Sequence, residues 1–184
     1  TNPSLLLVDA EYAGLAGDAH SRAASAAPMV ALGVTGIESH VPPTIHPAGD
    51  DREVCPDDPL LVIFTSGSSA APKGVVLTHA NCIWNNLALA GVVQLTQRDV
   101  VLSMLPQFHV AAWNVQPLLA WMQGATVVLE RSFDPVRILQ LISERRVSAM
   151  MGVPTQYRQL AAATEFARTD MSQLRHAVVG GATI

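Results

Sequence analysis

Apolar residues along this chain fall into short runs of strand length, and between them lie segments where they recur at helical spacing. Leu5-Leu6-Leu7-Val8 is the first run, and the alanine-rich stretch from Glu11 to about Ala26 predicts a helix after it. Met29 to Leu32 reads as a second buried strand. Regular alternation resumes at Leu60. Strand Leu60 to Thr65, a small-residue loop to Gly74, strand Val75 to Leu77 and a helix from Thr78 to about Val93 follow in order, with the Thr78 hydroxyl as N-cap. Next come strand Val100 to Met104, one helix from about Val110 to Met122 and strand Thr126 to Leu129. Asp134-Pro135 then opens a helix through Arg145, since proline at the first helical position lacks an N–H that would have no partner there. Its Val136, Ile138, Leu139, Leu141 and Ile142 form one stripe, with Arg137, Gln140, Ser143 and Glu144 opposite. Strand Ala149 to Val153, a helix from Pro154 or Thr155 to about Ala163, and strand His176 to Val179 complete the series. Repeated strand-then-helix steps predict an α/β fold, a mostly parallel sheet with helices on its faces.

Composition and charge add to this picture. Five prolines between Gly33 and Pro59, four of them from Pro42 to Pro56, turn that stretch into a long surface connection. With 184 residues, 49% apolar and 14% charged, the chain has enough material for one real core, so global disorder is excluded. A net charge of −4, with no basic run longer than Arg145-Arg146, gives no footprint for nucleic acid or an anionic membrane. No apolar stretch approaches the roughly eighteen residues of a membrane span, because Val100 to Trp121 is interrupted by Gln107, His109, Asn114 and Gln116. Cys55 and Cys82 have neither CxxC spacing nor a histidine at ligand distance; each reads as a small buried hydrophobe, in a reducing cytoplasm. The chain opens on Thr1 rather than Met and closes on a strand entering a loop, Val178-Val179-Gly180-Gly181-Ala182-Thr183-Ile184, which reads as a piece of a longer protein.

The segment richest in chemistry is Phe64-Thr65-Ser66-Gly67-Ser68-Ser69-Ala70-Ala71-Pro72-Lys73-Gly74-Val75, directly after an apolar strand. It offers four hydroxyls, unencumbered backbone N–H groups and one ammonium. Small residues let the backbone approach a polyphosphate, consecutive N–H groups form an anion-binding nest, and Lys73 adds a point charge. It is not a Walker loop, where Gly-Lys-Ser/Thr opens a helix, because Lys73 is followed by Gly74 and strand-like residues.

In these residues the chain resembles the adenylate-forming, or AMP-binding, superfamily and within it most resembles fatty-acyl-CoA synthetases. The family loop runs aromatic, Thr or Ser, Ser, Gly, two Ser or Thr, Gly, any residue, Pro, Lys, Gly. Only Ala70 departs from it, standing where the family has Gly. A Cβ there costs on the order of 1 kcal/mol if the backbone needs positive φ. Thr78-His79-Ala80-Asn81 matches too, Pro106-Gln107-Phe108-His109 resembles the Pro-x-Phe-His segment, and Gly180-Gly181-Ala182 resembles the Gly-Gly-Ala segment. The resemblance spans about Leu5 to Ile184 and implies that residues 1–184 are an incomplete part of the large N-terminal domain.

It implies an ATP-dependent acyl-CoA synthetase that joins a carboxylic acid, most simply a fatty acid, to AMP and passes the acyl group to coenzyme A. Thr65, Ser66, Gly67, Ser68, Ser69 and Lys73 would hold the ATP phosphates, with Lys73 and His109 as the catalytic pair, His109 positioning the carboxylate. Gly180, Gly181 and Ala182 would line the nucleotide and acyl pocket, and Trp113 would close the acyl tunnel or else simply pack in the core. Mg²⁺ would assist, but no metal ligand is assigned to these residues: the glutamate that helps hold it, the ribose-binding aspartate and the small C-terminal domain with its lysine follow Gly-Gly-Ala in the family. This chain alone is therefore expected to be inactive, and its cut sheet edge and apolar helix faces to self-associate as a homo-oligomer. Alternatives are adenylation of an aryl or amino acid for a carrier-protein thiol, and a non-catalytic nucleotide-binding remnant.

Overall fold

The computed structural model describes residues 3–23, 27–32, 53–65 and 72–181. The chain divides into two compact units, Thr1–Glu53 and Val54–Ile184. In the first, β1 (Leu6–Asp9) pairs in parallel with β2 (Met29–Leu32), Leu6 opposite Met29 and Asp9 opposite Leu32. Parallel strands need a crossover, supplied here by a 3-10 turn at Ala10–Tyr12 and by α1 (Ala13–Arg22). The helix expected from Glu11 thus begins at Ala13, because the Asp9 carboxylate accepts the Glu11 N–H at 3.3 Å and closes a tighter first turn. Residues 24–26 and 33–52, which include most of the proline-rich connection, lie outside the described residues.

The second unit contains two sheets among its described residues. β3 (Pro59–Thr65) and β4 (Lys73–Thr78) form an antiparallel pair, with Val62 opposite Val76 and Thr65 opposite Lys73. Antiparallel pairing follows from the short link between them, well below the dozen or so residues a parallel crossover needs. After it, α2 (His79–Ala90) starts on the expected cap: Thr78 Oγ1 accepts the Asn81 N–H at 3.2 Å, and Asn81 Oδ1 accepts the Thr78 N–H at 3.0 Å.

The other sheet is four-stranded and wholly parallel, in the order β6 (Thr126–Leu129), β5 (Val100–Ser103), β7 (Ala149–Gly152), β8 (His176–Val179). Side-chain alternation sends Val101 and Ala149 to one face, where they pack with Leu119, Ala120 and Ala125. Leu102 and Met150 go to the other, against Ile138, Leu139, Leu141, Ile142 and Leu160 of α5 (Pro135–Glu144) and α6 (Pro154–Ala162). Both faces of the central strands are therefore covered by helices, and the α/β class read from the sequence stands. At the start of α5, Asp134 Oδ1 accepts the Arg137 N–H at 2.8 Å and Pro135 occupies the first turn, as its sequence required.

Two expectations need correction. The single helix over Val110 to Met122 is two short ones, α3 (Ala111–Asn114) and α4 (Pro117–Met122), separated at Gln116, whose φ of −135° leaves the helical region. Pro117 is the cause, since its ring crowds the residue before it out of helical geometry. Cys82 is buried as expected, and burial pushes its thiol pKa up, but Cys55 is exposed in a turn closed by the Asp58 carboxylate.

At the N-terminal end of the parallel sheet, Asp99 is 4% exposed and holds several strands together. Its Oδ2 accepts from the Thr96 N–H at 2.7 Å and the Thr96 hydroxyl at 3.0 Å, and its Oδ1 pairs with the Arg175 guanidinium. Burial alone would raise its pKa, but hydrogen bonds from Ser148, Thr96 and Arg175 outweigh it and hold the carboxyl down at about 2. Because the folded pKa lies below the unfolded one, this group's contribution is complete above pH of about 4 and disappears as pH falls through about 2. That contribution is about 2 kcal/mol. Urea unfolding of Asp99→Asn is expected to show a loss of that order at pH 7 and a flatter dependence between pH 4 and 2 than the parent chain shows.

Candidate active site

The phosphate-loop signature is carried on the β3–β4 hairpin. Thr65 ends β3 and Lys73 begins β4 as direct cross-strand partners, and the Thr65 hydroxyl donates to the Lys73 carbonyl at 3.4 Å. The two flanks of the loop are thus brought together by the sheet register. Lys73 is exposed and, among the described residues, forms no ion pair, which leaves its ammonium available to an anion. Gly74 sits opposite Phe64, and a Cβ there would lie 3.2 Å from Val62 Cγ1 and 3.3 Å from the Phe64 ring. The absence of a side chain lets the aromatic ring lie across the partner strand. Ser66, Gly67, Ser68, Ser69 and Ala70 lie outside the described residues.

Other expected site residues emerge from the C-terminal ends of the parallel strands, the end at which open α/β sheets present their ligand crevices. His109 follows β5, and its exposed ring stands 4.6 Å from the Phe108 ring, centroid to centroid. The segment leading to it is tied down at several points: Gln107 Nε2 donates to the Leu105 carbonyl at 3.2 Å and to Ser103 Oγ at 3.4 Å. The Trp113 indole N–H donates to the Gln107 carbonyl at 2.7 Å. Trp113 is half-buried beside Trp121, 6.4 Å between ring centroids, and through its indole N–H it holds the His109 loop.

Gly180 and Gly181 follow β8. The Gly180 N–H donates to the Gly152 carbonyl at 3.3 Å, and Gly181 has φ of +81°, a conformation that strains any residue with a side chain. Ala182 lies outside the described residues. His109 and Gly180–Gly181 are therefore at the same end of one sheet, on strands separated only by β7. Among the described residues, no hydrogen bond or ion pair joins Lys73 to either of them.

Sequence reasoning missed the group that links these strands. Gln156 and Tyr157 occupy the first turn of α6, after β7. Gln156 Oε1 accepts the Val153 N–H at 2.9 Å, while its Nε2 donates to the Met104 carbonyl at 3.5 Å. The Tyr157 hydroxyl donates to the Val178 carbonyl at 2.9 Å, and burial pushes its pKa up to about 12, so it stays a donor throughout the physiological range. The available signal was a glutamine three residues after Val153 at a proline-started helix, half of a capping box, with an apolar residue where the hydroxyl belongs.

The profile of the AMP-binding enzyme family matches residues 4–184. The chain belongs to that family, and its curated relatives include CoA ligases. Over 134 residues it is 37% identical to a feruloyl-CoA synthase of Amycolatopsis, covering 73% of this chain and 27% of the relative. It is 35% identical over 126 residues to the long-chain-fatty-acid–CoA ligase FadD13 of Mycobacterium tuberculosis, covering 68% of this chain and 25% of that one. Among solved structures, the N-terminal domain of FACL13 from Mycobacterium tuberculosis superposes with a TM-score of 0.77 at 26% identity, over 98% of this chain and 45% of that one. ATP-bound MatB from Rhodopseudomonas palustris gives 0.75 at 27% identity, over 98% and 36%. The chain thus spans about a quarter of the length of the curated relatives it matches.

Proposed function

We propose that residues 1–184 are part of the N-terminal domain of an ATP-dependent acid–thiol ligase, one that activates a fatty acid as its acyl-adenylate and transfers the acyl group to coenzyme A. The observation that carries this reading is the presentation of the His109 loop and Gly180–Gly181 at one end of a parallel sheet, in a chain whose hairpin ends the phosphate-loop signature at Lys73. In the first step a carboxylate oxygen attacks the α-phosphorus of ATP, the bond to the β-phosphate oxygen breaks, and pyrophosphate leaves. In the second the sulfur of coenzyme A attacks the acyl carbon, its thiol proton is lost, and AMP leaves. Little covalent chemistry falls to the protein; two anions must be aligned and their charge offset. Lys73 offsets charge on the departing pyrophosphate, the hydroxyls of Ser66, Ser68 and Ser69 hold its oxygens, joined by that of Thr65 once it turns from the Lys73 carbonyl, and His109 orients the carboxylate.

Mg²⁺ would neutralise part of the ATP charge. Among the described residues no three His, Cys, Asp or Glu side chains converge, and no step here is routed through the ion. Among those residues, no helix is long and apolar enough to cross a membrane. A cytoplasmic setting accords with the use of ATP and coenzyme A. The exposed Phe64, Val75, Trp84 and Leu87 support self-association of the isolated chain, readable as a mass above the monomer by light scattering.

A second reading, an aryl acid as substrate, is favoured by the feruloyl-CoA synthase relatives. The fatty-acid–CoA ligase relatives support the fatty acid instead. Acid-dependent exchange of labelled pyrophosphate into ATP by the full-length protein tests both. Exchange with palmitate above that with ferulate is expected, the reverse order selects the aryl acid, and no exchange with any acid defeats the ligase reading. The 184-residue chain on its own is expected to form no acyl-adenylate.

A further inference from the structure

The parallel sheet presents its functional segments on three neighbouring strands, β5, β7 and β8, and something must set the distances between them. At the N-terminal end Asp99, Ser148 and Arg175 do so through bonds between strands. At the C-terminal end the backbone ladder ends with the Gly180 N–H on the Gly152 carbonyl, and beyond it the chain departs in three directions: toward His109, into α6, and into Gly180–Gly181. Two adjacent side chains take over from it. Gln156 reaches from α6 to the Met104 carbonyl, where the His109 segment leaves β5, and also holds the Val153 N–H at the end of β7. Tyr157 reaches the other way, to the Val178 carbonyl two residues before Gly180. Gly152 permits this convergence, since a Cβ there would lie 2.7 Å from Met104 Cε, 3.1 Å from Gln156 Oε1 and 3.2 Å from Tyr157 Cε2.

We infer that Gln156 and Tyr157 are positioning residues for the ligase reaction, a two-armed clamp that sets the separation between the His109 segment and the Gly180–Gly181 backbone. The inference rests on the proposed function for the identity of those two segments. Gln156 is 9% exposed, and neither residue is a candidate to touch the phosphates. Their effect is indirect: a carboxylate held by one wall must meet an α-phosphorus held by the other, and reactions of this kind lose rate steeply when alignment slips by an ångström. The two arms are also distinct. Loss of the Gln156 amide frees the acid-positioning side, whereas loss of the Tyr157 hydroxyl frees the nucleotide side.

The test has one readout in this chain and one in the full-length protein. Tyr157→Phe keeps the ring and its packing and removes only the hydroxyl. In the 184-residue chain its Gly180 amide is expected to exchange hydrogen about five- to tenfold faster, while Val101 and Leu102 in the middle of the sheet keep their rates. Uniform acceleration across the sheet would mean a purely structural role and overturn the inference, as would no change at Gly180. In the full-length protein, Tyr157→Phe is expected to raise the KM for ATP and Gln156→Leu that for the acid. Each change should be about fivefold or more, with the thermal midpoint within about 2 °C of the parent. An active parent with variants of unchanged KM overturns the clamp alone. A parent that exchanges no pyrophosphate with any acid overturns the functional reading and the clamp with it, even where the local exchange effect is seen.

Discussion

Lys73→Ala is expected to weaken ATP binding about ten- to a hundredfold, the equivalent of one hydrogen bond to a charged group. Lys73 stands at the first position of β4, paired with Thr65 across the hairpin, so its backbone is held by the sheet whatever its side chain becomes. It is exposed, and removing the ammonium leaves no buried partner charge behind, so the loss should be one of affinity and not of folding. Calorimetric titration of the chain with ATP and Mg²⁺ reads the first part, and a melting curve for each protein reads the second. Equal affinity in the two proteins would remove Lys73 from the phosphate site. Lys73→Arg keeps the charge and is expected to recover part of the affinity, although a guanidinium cannot reproduce a compact ammonium.

The largest effect on stability is expected at Ile138. Its side chain is fully buried in the cluster formed by Leu102, Met104, Leu139, Leu141, Ile142 and Met150, between α5 and the parallel sheet. Ile138→Ala removes three carbon atoms from a packed interior and is expected to cost about 3–4 kcal/mol, part lost transfer free energy and part cavity. Ile138→Val removes one methyl and is expected to cost about 1 kcal/mol. Urea denaturation of both variants gives the ratio of the two losses. A pair of nearly equal small losses would mean that α5 is not seated on the sheet as the structure has it. Because α5 and α6 pack on this same face, a large loss at Ile138 with unaltered Gly180 exchange would also show that the end of β8 is governed locally by α6 and not by the core.

Most strands and helices were legible because each is a local pattern. The stripe of α5, with Asp134 and Pro135 at its start, needs nothing beyond its own ten residues to be a helix, and Thr78 with Asn81 is likewise a local cap. The break at Gln116 is masked in the sequence by the apolar run from Val110 to Met122, in which Pro117 alone marks it by disfavouring helical geometry in the residue before it. Cys55 departs from expectation for a different reason: cysteine's average tendency to be buried says nothing about a particular turn, and here Asp58 holds that turn at the surface. Candidate site residues were legible by residue type and order, with Lys73, His109 and Gly180–Gly181 each following or beginning a strand. Their mutual placement was not.

By itself, then, the sequence determined the class of fold and, but for the break at Gln116, the succession of strands and helices, and it supplied the residue types between β3 and β4, since periodicity, capping and the small-residue run ending in Lys73 are properties of contiguous residues. Only the tertiary structure decided that β5 lies between β6 and β7, that the β3–β4 pair is a separate antiparallel sheet among the described residues, and that Gln156 and Tyr157 bridge strands β5, β7 and β8. The physical reason is range. Strand order and the side-chain bonds at the sheet's ends join residues tens of positions apart, and which of the possible partners meet is settled by how both faces of the sheet are buried at once. Asp99 and Arg175 pair across that distance, and nothing in the residues next to either one announces the other.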